Sequence, residues 1–334
     1  MRQTVALFAV SATLLLLLGG CSSKEYYIPK NTVGPWKMTG SLHAEIVDVT
    51  SDGAVLDNGK IMTPDAFLEY TLTPKHRFIS QSDGWVISST SVGNVSLHSL
   101  KSEDEKQINF ALKKTVAAAA VQGDILAILF ANNEMAIYSL ASKALLFKEQ
   151  GSAPIAVDSR IVNPYFLKDL VLFLTLDGKI VIVNTEAKKV VRSMIVSSEP
   201  YFNNIVHFNV DGNTLVAATP HKIFSLTSSE MRAPYEVRDL VYKDDVIYIC
   251  TKQGDIVSLT PSMEKIASKK FDFAHFLGLI VTDDAVYALE KEGYIIVLDK
   301  DLAHVSVYDV DLEEGLVYAA DATFFVNSTF FKLR

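Results

Sequence analysis

The sequence predicts an all-β chain: a β-propeller of four-stranded blades over residues 41–334, with eight blades favoured over seven. Three observations carry this. A hairpin unit recurs, in which Asp, Asn or Gly leads into four to six apolar residues, then a polar turn, then a second β-rich run. Clear copies are Trp85-Val86-Ile87 to Gly93-Asn94-Val95-Ser96-Leu97 and Asp169-Leu170-Val171-Leu172-Phe173-Leu174 to Asp177-Gly178-Lys179-Ile180-Val181-Ile182-Val183. The hairpin turns fall near 59, 93, 133, 178, 221, 254, 293 and 321, a mean spacing of about 37, and periods of ~40 with four strands per unit indicate blades. Finally, Pro164-Tyr165, Pro200-Tyr201 and Pro234-Tyr235 recur at spacings of 36 and 34, each where the innermost strand of a blade is expected to begin.

In chain order, the first element is an export signal over 1–20. Arg2 precedes an apolar run at 5–18 broken only by Ser11 and Thr13, too short for the ~20 apolar residues of a membrane-spanning helix. Leu18-Gly19-Gly20-Cys21 then resembles the lipobox of bacterial lipoproteins, which implies cleavage before Cys21 and acylation of its thiol. Durable attachment to a membrane follows from two or more acyl chains. With Ser22 rather than Asp after the cysteine, the same resemblance implies sorting to the outer membrane, on its periplasmic face. Residues 21–40 hold Pro29, Gly34 and Pro35 without periodicity and read as a flexible tether.

Within the ring, the stretch 111–121 is the one helix-like segment, although Thr115-Val116 followed by four alanines equally suits a tightly packed inner strand. The β-rich tail at 323–333 is expected to close the ring in one blade with a strand from 41–57. Radial repetition leaves only short sheet edges, which guards a sheet protein of this size against aggregation.

Charge and chemistry narrow the function. Lys and Arg number 31 against 39 Asp and Glu, with no basic block, which argues against nucleic acid. With Cys21 taken by lipid, Cys250 stands alone in an apolar run and reads as a small buried hydrophobe. Nucleophile-elbow, Walker, Rossmann and zincin spacings do not occur, and the seven histidines are scattered singly, so neither an enzyme, a metal nor a cofactor is expected. The acidic runs Glu103-Asp104-Glu105 and Asp311-Leu312-Glu313-Glu314 read as solvated loops, and Asp177 and Asp255 as turn formers. Candidate protein contacts are Tyr165, Phe166, Tyr201 and Phe202, with Phe271, Phe273, His275 and Phe276 crowding a third place. The competing reading makes these rings the core between blades, and burial separates the two.

The run from Asp177 to Val191, and Gly293-Tyr294-Ile295-Ile296-Val297-Leu298-Asp299 after it, resemble the repeat of pyrroloquinoline-quinone-type propellers. Quinoprotein dehydrogenases of that superfamily carry adjacent cysteines and a tryptophan in most blades, whereas this chain has only Trp36 and Trp85 and no adjacent cysteines. Length, lipobox and degenerate repeats are similar to the BamB family of outer-membrane assembly lipoproteins. That resemblance implies an eight-bladed propeller on a lipid anchor that binds envelope proteins and serves the barrel-assembly machinery. The alternatives are a quinone- or glycan-binding propeller, or a periplasmic enzyme using the central funnel, and an adhesin on the cell surface. Convergent charges in the funnel favour the small-molecule alternative; small and apolar side chains there favour the scaffold.

Overall fold

The structure, a computed structural model, describes residues 25–101 and 106–334. Leu18, Gly19, Gly20 and Cys21 lie outside the described residues, as does the acidic run Glu103-Asp104-Glu105.

All regular structure among the described residues is strand, in eight antiparallel meander sheets that form the blades of a closed ring. The second strands, such as Ile125–Phe130, Leu170–Leu174 and Val246–Thr251, are apolar almost throughout, Thr251 at a strand end being the exception. Each is covered on both faces by neighbouring blades, so continuous rather than alternating hydrophobicity is what burial demands. Outer strands such as Lys189–Ile195 and Lys265–Lys270 are mostly exposed and interleave Lys, Arg and Ser with aliphatic residues. The segment 111–121 resolves as strand: Val116–Gln122 is the inner strand of the third blade, its alanines suiting the crowding where strands converge on the axis.

The turn between second and third strands repeats with one chemistry. Gly59, Gly93, Asn133, Gly178, Gly254 and Gly293 all have positive φ. At Gly93, with φ of 84°, an added Cβ would come 2.3 Å from the Lys114 carbonyl oxygen, so glycine is needed for both space and backbone. The turn carbonyl accepts a hydrogen bond from the chain leaving the outer strand, as in Leu112 to Gly93 at 2.9 Å, Val196 to Gly178 at 2.9 Å and Phe271 to Gly254 at 2.8 Å.

Several details differ from the sequence expectations. The turn at Asp321 joins the first and second strands of the last blade, Val317–Ala320 and Thr323–Val326. Its counterpart in the repeat is Asn327, which leads into Thr329–Lys332, so the short final spacing belongs to a different turn. Only one Pro-Tyr pair opens a strand. Tyr165 starts Tyr165–Leu167, but Tyr201 lies in a loop ahead of His207–Asp211, and Pro234 ends the outer strand Glu230–Pro234. The pairs mark the passage between blades, where a residue without an N–H is tolerated at either end of a ladder.

Closure pairs Gly40–Ser41 with Phe330 and Thr329 as the outer strand of the eighth blade. The closing strand therefore sits at the edge of the expected 41–57 region, whose remainder builds the first two strands of the first blade, Ile46–Thr50 and Gly53–Leu56. The tether reading for 21–40 is corrected over its described part, 25–40, which lies on the ring. Tyr27 is 8% exposed, and Gly34–Pro35 adds a fifth, parallel strand to Val305–Asp309 of the seventh blade. Trp36 meets Tyr308 and Tyr287 edge-on at 5.0 and 6.2 Å and donates from Nε1 to the Lys332 carbonyl at 3.3 Å. Single aromatics seated in grooves between outer strands leave no periodic trace in the sequence. Cys250 is fully buried, and burial pushes its thiol well above the usual value.

Candidate binding face

In a four-stranded meander, the turn between second and third strands and the connection to the next blade share one face of the ring. The other two turns of each blade share the opposite face. Among the described residues, every large hydrophobic side chain exposed in a ring loop lies on the first of these, termed here the connection face: Val92, Ile155, Val157, Tyr201, Phe202, Phe273 and Leu316. Water-exposed rings gathered on one side of a molecule mark a contact surface.

Two connections build most of this surface. In 151–164 and 196–206 the chains are tied together: Phe202 N–H donates to the Ala156 carbonyl at 2.9 Å, and Asn204 Oδ1 accepts Asp158 N–H at 2.7 Å. Asn204 Nδ2 donates to the carbonyls of Asp158 and Arg160 at 3.2 and 2.8 Å. Held this way, Ile155, Tyr201 and Phe202 stand out at 73, 53 and 49% exposure, and Phe273 on a third connection at 57%. Phe202 and Phe273 also adopt φ of 50° and 65°, a left-handed backbone that costs an L-residue about 1–2 kcal/mol. The same backbone recurs at turn residues such as Lys75, Lys143 and Lys168, so it is the exposure of the two rings, not their φ, that marks them.

The same connection, 151–164, reaches into the axis, where Ser159, Arg160 and Ile161 line a cavity of about 380 Å³ together with Asp48, Arg77 and Val206. Arg160 pairs with Asp158 through Nε at 2.9 Å and Nη2 at 2.7 Å, and Nη1 donates to the Arg238 carbonyl at 2.5 Å. Asn163 accepts Ala119 N–H at 3.1 Å and donates to Ser51 Oγ and Asp52 Oδ1, both at 2.9 Å, spanning three elements around the axis. Charges do converge here, the outcome that favours a ligand funnel, but they are engaged with one another and with the ring. Inner strands are sheet edges whose N–H groups lack a ladder partner. Ser82 Oγ accepts Val121 N–H at 2.8 Å, Asp83 accepts Gly123 N–H at 2.8 Å, and Asp239 accepts Leu279 N–H at 2.8 Å. Burial raises the carboxyls of Asp52 and Asp239. His207, desolvated and facing the Arg160 cation, is lowered to about 4 and stays neutral.

Comparison with solved structures agrees with this architecture. The structure of BamB from Moraxella catarrhalis superposes with a TM-score of 0.67 at 13% identity, over 88% of this chain and 99% of that one. In fold, the chain is a BamB-like β-propeller. The C-terminal WD40 domain of Sif2, with a TM-score of 0.63 at 11% identity over 91% of this chain, and the computationally designed Ika8 protein, at 0.58 and 13% over 90%, share the ring. No family model matches the sequence. The plasminogen-binding protein PgbB of Helicobacter pylori is 26% identical in strain J99 and 25% in strain 26695, over 90% of this chain. This chain spans 64% of the length of those relatives.

On this BamB-like ring the predicted aromatics divide. Tyr201 and Phe202 stand on the connection face, whereas Tyr165 leans on Phe208 at 5.3 Å in the inner wall and Phe166 packs into the core between the third and fourth blades. Phe271 and Phe276 are buried against each other at 6.2 Å, leaving Phe273 exposed. Glu313 accepts hydrogen bonds from Ser328 Oγ at 2.9 Å and N at 3.3 Å, so one member of the second acidic run fastens the last turn. Asp177 is held by Thr175 Oγ1 and Lys179 Nζ, both at 2.6 Å, and shapes its turn. Ile155, Val157, Arg160 and Asn163 escaped sequence reasoning. Their signal was a long connection bounded by Pro154 and Pro164 with no alternation, a length that in a compact domain usually serves a purpose.

Proposed function

We propose that this chain is a non-enzymatic, lipid-anchored scaffold on the periplasmic side of the outer membrane, binding envelope proteins through its connection face and assisting assembly of barrel proteins. The observation that carries the reading is the confinement of exposed apolar residues of the ring loops to one face among the described residues. A rigid ring presents those rings with little ordering cost on binding, and aromatic anchors dominate interface energetics. A lipid on Cys21 raises the local concentration of the face near its partners. The BamB-like fold supports a scaffold, and the axial charges are paired with one another, Arg77 with Asp48 and Arg160 with Asp158, rather than left for a quinone, glycan or substrate.

The test is cross-linking in native membranes, capture of the protein and mass spectrometry of what comes with it. Native protein is expected to bring barrel-assembly components, Cys21→Ala to bring fewer, and a Tyr201→Asp/Phe202→Asp double variant to bring none. Failure to recover any envelope protein sinks the scaffold reading.

The likeness to PgbB favours a second reading, in which the face binds plasminogen outside the cell. Biolayer interferometry of the purified chain on immobilised plasminogen decides it. Binding that falls at least tenfold in the same double variant supports it, and no binding at micromolar concentration removes it.

A further inference from the structure

We infer that the docked N-terminal segment turns the connection face toward the bilayer and seats Tyr26 and Phe273 in the lipid–water boundary. This rests on the reading that Cys21 carries lipid. Tyr27 is buried edge-on against Phe271 at 5.9 Å and Tyr294 at 5.6 Å. Both partners belong to the connection face: Phe271 N–H donates to the Gly254 turn, and Tyr294 follows the Gly293 turn. The chain therefore leaves the ring on that face, between the sixth and seventh blades. Six positions separate Cys21 from Tyr27, a reach of at most ~22 Å when fully extended. Blade strands of five to seven residues rise ~3.3 Å each, about 20 Å before turns are added. An anchor of that length meets a membrane lying against the near face with slack to spare, and is fully consumed in reaching the far one.

The side chains beside the exit suit a phospholipid surface. Tyr26 is exposed, and Phe273 projects from the connection that holds Phe271. Tyrosine pairs an apolar ring with a polar tip and favours the headgroup level. Lys252 and Lys270 line the recess at Phe273 with Asp272, each half-exposed ammonium paired to a carboxylate, Glu236 at 3.2 Å and Asp255 at 3.3 Å, so the contact with lipid rests on the two rings rather than on charge. On the opposite face the large exposed hydrophobics among the described residues, Phe67, Leu145 and Leu167, sit at strand ends beside the turns rather than in projecting loops.

The experiment couples the mature chain through Cys21 to maleimide-headgroup lipid in phosphatidylcholine vesicles. Cys250 is fully buried, so Cys21 is the thiol that reacts. Phe273→Trp and, on the far face of the sixth blade, Ser262→Trp are compared for quenching by dibrominated phosphatidylcholine, each after subtraction of the signal that Trp36 and Trp85 give in the parent chain. Quenching of the tryptophan at 273 at least threefold stronger than at 262 is expected. Equal quenching, or the reverse order, overturns the orientation. No quenching at either site, alongside acylated Cys21 in native membranes and recovered envelope partners, gives this edge to a protein and overturns the lipid contact while leaving the scaffold reading intact. A native Cys21 without acyl chains removes the anchored reading beneath both.

Discussion

Asn133 takes the turn position that glycine holds in five other blades, at φ of 65°, and its side chain does work that glycine cannot. Oδ1 accepts Leu176 N–H at 2.8 Å and Nδ2 donates to the Ser152 carbonyl at 2.8 Å, tying the third blade to the fourth in a fully buried setting. Asn133→Ala is expected to cost about 2–3 kcal/mol in a urea titration, because a buried N–H is orphaned. Asn133→Gly should recover only the backbone share, about 1 kcal/mol. His207 makes the second residue-scale prediction. It is neutral in the fold, lowered from 6.5 to about 4, so between those values the unfolded chain binds the extra proton and stability falls as pH falls. That difference is worth on the order of 3 kcal/mol. His207→Gln should flatten the pH dependence of the denaturation midpoint between pH 6.5 and 4, and an unchanged slope would assign the loss to other groups. The sequence marked position 133 as a turn and His207 as an isolated histidine. Neither the inter-blade tie nor the Arg160 neighbour is visible at that level, because both come from segments far along the chain.

The connections between blades carry the candidate site, and their role is testable apart from stability. Phe202→Gly removes an exposed ring and relieves a left-handed backbone, two changes that leave fold stability within about 1 kcal/mol of the parent. Partner capture should nonetheless fall at least tenfold, a split that a merely structural Phe202 would not give. The N-terminal segment behaves oppositely. Trp36 is buried between the seventh and eighth blades, and Trp36→Ala should lower stability by about 3–5 kcal/mol through lost packing. Calorimetry checks it. Strand-forming segments were legible because their burial repeats residue by residue, as in Leu170–Leu174. Docking of 25–40 was not, since it hangs on Tyr27, Trp36 and two very short strand pairings.

At the scale of the molecule, closure relies on the N-terminal chain supplying the outer strand of the eighth blade. Deleting residues 25–41 leaves Thr329–Lys332 as an open edge, together with the grooves that Tyr27 and Trp36 covered. The truncated ring is expected to lose on the order of 5 kcal/mol and to self-associate, read by light scattering after size exclusion. A monomer of parental stability would show that the ring closes without this segment. The formal charge of −8 opposes non-specific association of the intact ring, so self-association after truncation would report the exposed edge.

From sequence alone came the all-β class, the blade period, the glycine turns, the free cysteine and the lipobox resemblance on which the proposal of a lipid at Cys21 rests. These are matters of local chemistry: alternation, turn backbone and short motifs act over a few residues. Only the tertiary structure decided which loops share a face, that 151–164 reaches into the axis, and that Tyr27 docks against Phe271. Those outcomes depend on partners such as Asn163 with Ser51, 112 positions apart, and Trp36 with Lys332, 296 apart. A strand's pattern states that a side chain is buried, and the closing of the ring determines against what.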